Sequence, residues 1–195
     1  MNKIILASKS VVRKYILEKN GIGCVVEKSN IDEDPIKESL LKQGATPEII
    51  SKNLAELKAN KVSQNMNTGE LVLGADSVID LNGELISKPT SRKEAFEILT
   101  KLNGKKHYLI SSVCISKDGT MIWNYSDKAE LTMKKMSDQE LINYLAKIRD
   151  EDLYAYNVYQ IEGEGMRLFS SIVGDKNTIM GLPIIKIKEY LESFK

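Results

Sequence analysis

A chain of 195 residues with one histidine, two cysteines, four prolines and one tryptophan lacks the material for several chemistries. A lone imidazole, His107, argues against a His-rich zinc centre or a two-histidine facial triad, and His107 is assigned to structure. Cys24 and Cys114 lie far apart without metal-type spacing, each inside an apolar stretch. That pattern predicts buried thiols in a reducing compartment rather than a disulfide framework. No hydrophobic run approaches a membrane span, and the opening apolar run is too short for a secretory signal, so a cytoplasmic protein with no membrane partner is expected. An excess of one charge is missing too. Lys plus Arg number 28 against 27 Asp plus Glu, a formal net charge of +1, which supplies no global field for nucleic acid or an anionic surface. Without a basic stripe or stacking aromatics, no nucleic-acid partner is expected, and any anion must be held locally.

What is present is ordinary for a globular protein, 42% hydrophobic and 28% charged. With no repeat, low-complexity tract or linker, residues 1–195 read as one domain. A strand near 3–7 leads through Ser8 and Ser10 to a helix near 10–20, and GCVVE reads as a second strand. The acidic knot Asp32-Glu33-Asp34 before Pro35 reads as a loop. Thr46-Pro47-Glu48 starts a helix through Ile50, Leu54, Leu57 and Val62, with Lys52, Glu56 and Lys58 on its exposed face. Leu71 to Leu73 read as a buried strand that stops at Gly74, and Asn82-Gly83 signals a tight hairpin returning the chain to Lys88. Ser91 with Glu94 and Ser137 with Glu140 have capping-box spacing. HYLISSVCIS and MIWNYSDKAELTM read as long paired strands. Pro183 precedes a terminal helix with an apolar stripe through Ile184, Ile187, Tyr190, Leu191 and Phe194.

Polar residues gather at the ends of these elements: Ser8, Ser10, Arg13, Glu33, Lys58, Asp76, Lys88 and Gln160. Each has an ordinary structural reading as a cap, a turn residue or a solvated charge. Together they offer two acids for a hard cation, three cationic side chains for phosphate oxygens, and hydroxyls beside a helix start, where backbone N–H groups favour anions. That set suits phosphoryl chemistry on a polyanion.

The segments LASKS with Arg13, DE at 32–33, LAELKA at 54–59, GADSVI at 74–79 and KP at 88–89 resemble the Maf family of nucleoside triphosphate pyrophosphatases. So do LNGKKHYLISSV, YQIEGEG and VGDKNTIMGLP, in the same order along nearly the whole chain. The resemblance implies an α/β fold of the Maf/ITPase-like kind, with a long mixed central β-sheet flanked by helices and two lobes with a cleft between them, as a homodimer. It implies hydrolysis of a nucleoside triphosphate, standard or modified, to the monophosphate and pyrophosphate, clearing nucleotide pools with Mg2+ or Mn2+. By position Asp76 is the candidate general base, with Glu33 as its catalytic partner and both as metal ligands. Arg13, Lys58 and Lys88 would contact the triphosphate, and Ser8, Ser10 and Gln160 would orient it. One family arginine is absent, since Val12 precedes Arg13. The base preferred and the role of Glu162 stay open. A nucleotide-binding regulator of cell division with little catalysis is the alternative.

Overall fold

The opening apolar run forms β1 (Ile4–Leu6), buried along its length. In the computed structural model, which describes residues 4–66 and 69–193, Ser8 and Ser10 connect it to α1 (Val11–Lys19), and β2 (Cys24–Val26) returns beside β1. Two helices follow, α2 (Glu33–Lys42) and α3 (Pro47–Met66), then the hairpin β3 (Val72–Leu81) and β4 (Glu84–Ile86). Next come α4 (Arg92–Leu102), the long strands β5 (Lys106–Lys117) and β6 (Thr120–Met133), and the helices α5 (Asp138–Leu145) and α6 (Asp150–Tyr156). A 3-10 turn (Glu164–Leu168), β7 (Phe169–Val173), α7 (Lys176–Ile179) and α8 (Ile184–Ser193) complete the chain.

The seven strands make one mixed sheet in the order β2-β1-β3-β5-β6-β7, with β4 paired to β3. β1 runs parallel to β2 and β3, and the remaining pairs are antiparallel. The α/β class and the mixed central sheet expected from the sequence are therefore present. Asn82 and Gly83 both have positive φ, 54° and 87°, as the primed two-residue hairpin requires.

Four local expectations need correction. The acidic segment is a helix rather than a loop, because Pro35 falls in the first turn of α2, where its missing N–H would have no partner, and Glu33 and Asp34 favour the positive helix end. β3 does not stop at Gly74 but runs through it to Leu81. On α3 it is Leu57 that faces solvent, while Lys58 is only 7% exposed. Of the two free cysteines, Cys114 is buried but Cys24, on the edge strand, is half-buried. Both capping serines accept the expected backbone N–H; Glu140 completes its box, whereas the Glu94 carboxylate binds Thr90 instead. In the terminal stripe Ile184, Ile187 and Leu191 are buried, and Phe194 lies outside the described residues.

Of three apolar clusters, a smaller one lies between α3 and the sheet and the other two divide the molecule along that sheet. One joins β1, α1 and α8 to Leu73 and Ala75 of β3 and Val113 and Ile115 of β5. The other joins α4 and α5 to Ile79 and Leu81 of β3 and Leu109 of β5. Between them a polar belt crosses the strands, with Asp76 opposite Ser112 and Ser112 opposite Ser126, and with Ser77 opposite Ser111 and Ser111 opposite Asp127. Hydroxyl pairs Ser112–Ser126 (2.7 Å) and Ser77–Ser111 (2.8 Å) satisfy the serines of the belt among themselves, Ser111 donates to the Thr178 carbonyl, and Thr178 donates to Asp127.

His107 sits within the second cluster, fully buried, with Nε2 3.0 Å from the Tyr159 hydroxyl. Its Nδ1 has no hydrogen-bond partner. Burial pushes this imidazole down to about 4 from 6.5, with Lys105 offsetting little. Well above pH 6.5 the ring is neutral in both folded and unfolded chains and contributes no pH dependence. As pH falls from 6.5 to 4 the unfolded chain takes up a proton that the folded one refuses, so stability declines, by about 3 kcal/mol at pH 4. Urea unfolding followed by Trp123 fluorescence should show this decline in the wild type and its loss in His107→Gln. Parallel pH curves for the two proteins would contradict it.

Candidate functional site

β1 pairs with β3 only as far as Leu73, and β4 pairs with it only from Ile79 onward. Among the described residues no strand covers that edge of β3 over 74–78, and the belt reaches the surface there. Successive side chains point to opposite faces, so Asp76 turns to the α3 side and Ser77 to the α1 side. The open edge thus has an acidic flank and a cationic flank.

On the α3 side, Lys58 Nζ lies 2.8 Å from Asp76 Oδ1 and 2.7 Å from Glu33 Oε1. Lys37, one turn along α2, holds the other Glu33 oxygen at 3.1 Å. Burial alone would raise the Glu33 carboxyl, but Lys58 and then Lys37 outweigh it and hold the group at about 2, so it is ionised at neutral pH. Asp76 is 6% exposed, its backbone carbonyl accepts from the Ser51 hydroxyl at 3.2 Å, and its Oδ2 is buried with no hydrogen-bond partner. One oxygen is anchored and the other is free, an arrangement suited to accepting a proton or a cation.

On the α1 side, Arg13 crosses to the open edge. Nε donates to the Gly181 carbonyl (3.0 Å), Nη1 to Ser8 Oγ (3.2 Å) and to the Ala75 carbonyl (3.0 Å), and Nη2 to Ser77 Oγ (3.0 Å). Those four bonds leave one of the five guanidinium N–H groups, on Nη2, for a ligand. Arg13 therefore ties β1, β3 and the loop before α8 together, and in this arrangement it has no bidentate fork to offer. Desolvation lowers its pKa, partly countered by Asp76 and Glu33.

Ser8 Oγ accepts from the Ser10 N–H and from Arg13, and Ser10 Oγ accepts from the Arg13 N–H as the N-cap of α1. Both lone-pair directions of Ser8 are thereby used, and its hydroxyl hydrogen is left to donate. Lys88, just past β4, keeps contact with solvent yet lies among these charges. Desolvation and then Arg13 push its ammonium below the ordinary lysine value, with Asp76 and Glu33 opposing.

Seven of the eight residues singled out from the sequence thus converge: Ser8, Ser10, Arg13, Glu33, Lys58, Asp76 and Lys88. Gln160 is the exception. It lies half-buried in the turn before Glu164–Leu168, its carbonyl accepting from the Gly163 N–H, and no hydrogen bond joins its side chain to the others. Sequence reasoning missed Lys37, Ser77, Ser111 and Ser51, which hold the principal groups from behind. Ser77 stands inside the GADSV motif and was within reach of the sequence; the others carry no local signal.

The profile of the family described as Maf-like protein matches residues 3–194. A protein of Pelagibacter ubique (strain HTCC1062) named nucleoside triphosphate pyrophosphatase is 69% identical over 195 residues, the full length of both chains. A protein of Brucella abortus biovar 1 (strain 9-941) named 7-methyl-GTP pyrophosphatase is 37% identical over 185 residues, 95% of this chain and 92% of that one. Among solved structures, a HAM1 protein from Coxiella burnetii aligns with a TM-score of 0.49 at 15% identity, over 70% of this chain and 75% of that one. The family profile and the full-length identity agree with the motifs converging on the β3 edge, and the chain belongs to the Maf-like protein family.

Proposed function

We propose that this protein is a nucleoside triphosphate pyrophosphatase, cleaving its substrate between the α- and β-phosphates with the help of Mg2+ or Mn2+. The observation that carries the proposal is the Asp76 carboxylate, fixed through Oδ1 by Lys58 and unpartnered at Oδ2, beside a cationic flank on an open sheet edge. The 69% relative of the same length bears that activity in its name, and one relative is named for 7-methyl-GTP.

The side chains fit a hard divalent cation. Glu33 and Asp76 share one ammonium, and a buried carboxylate oxygen has no other partner. Among the described residues no third His, Cys, Asp or Glu joins them, a donor set that matches a Mg2+ ion completing its shell with water and phosphate oxygens. Glu33 and Asp76 would hold the cation, which when bound supplies Lewis-acid polarisation of the α-phosphate and a more acidic water.

In hydrolysis Asp76 Oδ2 takes a proton from water as the water oxygen bonds to the α-phosphorus. The bond from that phosphorus to the α,β-bridging oxygen breaks, leaving the monophosphate and pyrophosphate. Lys58, Lys88 and the spare N–H of Arg13 neutralise charge on the departing pyrophosphate, and the Ser8 hydroxyl donates to a phosphate oxygen. The same proposal takes the enzyme as a homodimer, as the resemblance implies, and as cytoplasmic, as its cysteine usage leads one to expect.

Purified protein incubated with a panel of triphosphates, including UTP, dTTP and 7-methyl-GTP, should release pyrophosphate and monophosphate in equal amounts. Excess EDTA should abolish the release. Orthophosphate as the first product, or nucleotide binding with no pyrophosphate from any of the panel, would refute the proposal.

A further inference from the structure

We propose that Lys58 occupies the divalent-cation position of the nucleotide-free protein, so that the metal enters with the triphosphate and not before it. The role given to Lys58 depends on the divalent cation of the proposed function. Its ammonium lies in direct contact with both carboxylates, 2.7 Å from Glu33 Oε1 and 2.8 Å from Asp76 Oδ1, the two side chains that would hold the cation. The side chain is only 9% exposed, so water screens the pair weakly.

Charge around the pair points the same way. Glu33 and Asp76 face four cationic groups: Lys58 between them, Lys37 on the far Glu33 oxygen, and Arg13 and Lys88 close enough to act on both; a third carboxylate, the exposed Asp34, reaches Lys37 at 3.9 Å, so the cations still outnumber the acids by one. Without nucleotide the site carries an excess of positive charge, repelling a free divalent cation and attracting a polyanion. An incoming Mg2+ or Mn2+ would also meet an ammonium that already satisfies one oxygen of each acid.

Arrival of a triphosphate reverses the balance. Lysine is a compact point charge on a flexible four-carbon stem, and its three donors can transfer from carboxylate to phosphate oxygens. Moving Nζ onto phosphate would leave the Glu33 and Asp76 carboxylates to the cation that accompanies the nucleotide. Asp76 Oδ2, already unpartnered, needs no exchange. Lys58 therefore has two successive partners, the carboxylate pair and then the triphosphate, and the change between them sets the order of binding.

Mn2+ titrations read by the electron paramagnetic resonance of free Mn2+ test this order. They compare wild type, Lys58→Met and Lys58→Gln, each checked for folding by circular dichroism, with and without an α,β-methylene triphosphate analogue of UTP. Wild type alone should bind Mn2+ about tenfold or more weakly than wild type with the analogue, and loss of the ammonium should tighten nucleotide-free binding by about tenfold or more. A merely structural lysine would not tighten metal binding when removed. Wild type that binds Mn2+ equally well with and without the analogue overturns the inference even if neither variant folds, as do folded variants that bind no more tightly than wild type. Protein and analogue together retaining no more Mn2+ than the analogue alone would overturn the cation reading and the inference with it. A tight nucleotide-free site would overturn the inference alone.

Discussion

Asp76→Asn is expected to lower turnover by about a hundredfold or more while leaving the fold intact, because a positioned general base commonly contributes that much. The substitution is close to isosteric. Its amide oxygen can still accept from Lys58 at the place of Oδ1, while the amide nitrogen replaces the unpartnered Oδ2 with a group that takes up no proton. Lys58 also keeps Glu33 at 2.7 Å, so the buried ammonium is not stranded. The midpoint of thermal unfolding should accordingly move by no more than about 4 °C, on the scale of a 1 kcal/mol change in a chain of this size. Steady-state pyrophosphate release across pH, beside a melting curve, separates the two effects. Turnover above about a tenth of wild type would place the base elsewhere, since such a loss is too small for removal of a general base.

The candidate site was legible in the sequence to the extent that its residues cap elements or break apolar runs. Ser8, Ser10, Asp76 and Lys88 follow or interrupt apolar runs, where a polar residue is conspicuous. Arg13 was legible as a cation, but its involvement with Ser77 and with the Gly181 carbonyl joins residues 64 and 168 positions apart, and no local pattern encodes that. Lys58 shows the reverse. Helical periodicity placed it among solvated charges, whereas its face of α3 is buried and carries small residues, Ser51, Ala55, Ala59 and Ser63, at four-residue intervals. A hydrophobicity count undervalues such a face, because alanine and serine bring little apolar area yet allow a helix to lie close to a sheet. α2 was missed because a proline that stops a helix in its interior is harmless in its first turn. The polar belt escaped because Ser111 and Ser112 look unremarkable within β5 until the register sets them opposite Ser77 and Asp76.

That same close approach of α3 makes Gly74→Ala the second substitution with a large expected effect, about 3 kcal/mol of lost stability. A Cβ at position 74 would stand 2.1 Å from the Ala55 carbonyl oxygen, 2.7 Å from the Ala59 nitrogen and 2.9 Å from the Ala59 Cβ. Two of these three atoms are helix backbone, so no side-chain rotation relieves the contact, and α3 itself has to move away from β3. Alanine's advantage over glycine within a strand, about 0.5–1 kcal/mol, is too small to compensate. The movement also reaches the chemistry: Lys58 precedes Ala59, and Asp76 lies two residues along β3 from Gly74, so widening the interface draws the ammonium off the carboxylate at the open edge. Urea unfolding monitored at Trp123 should show the stability loss, with a thermal midpoint lower by about 6–12 °C. Turnover measured where the variant is still folded should fall with it, because the fault lies between the two elements that hold Lys58 and Asp76. A loss below about 1 kcal/mol with full turnover would mean that α3 and β3 are not in backbone contact at this position, and the geometry assigned to Lys58 and Asp76 would lose its support.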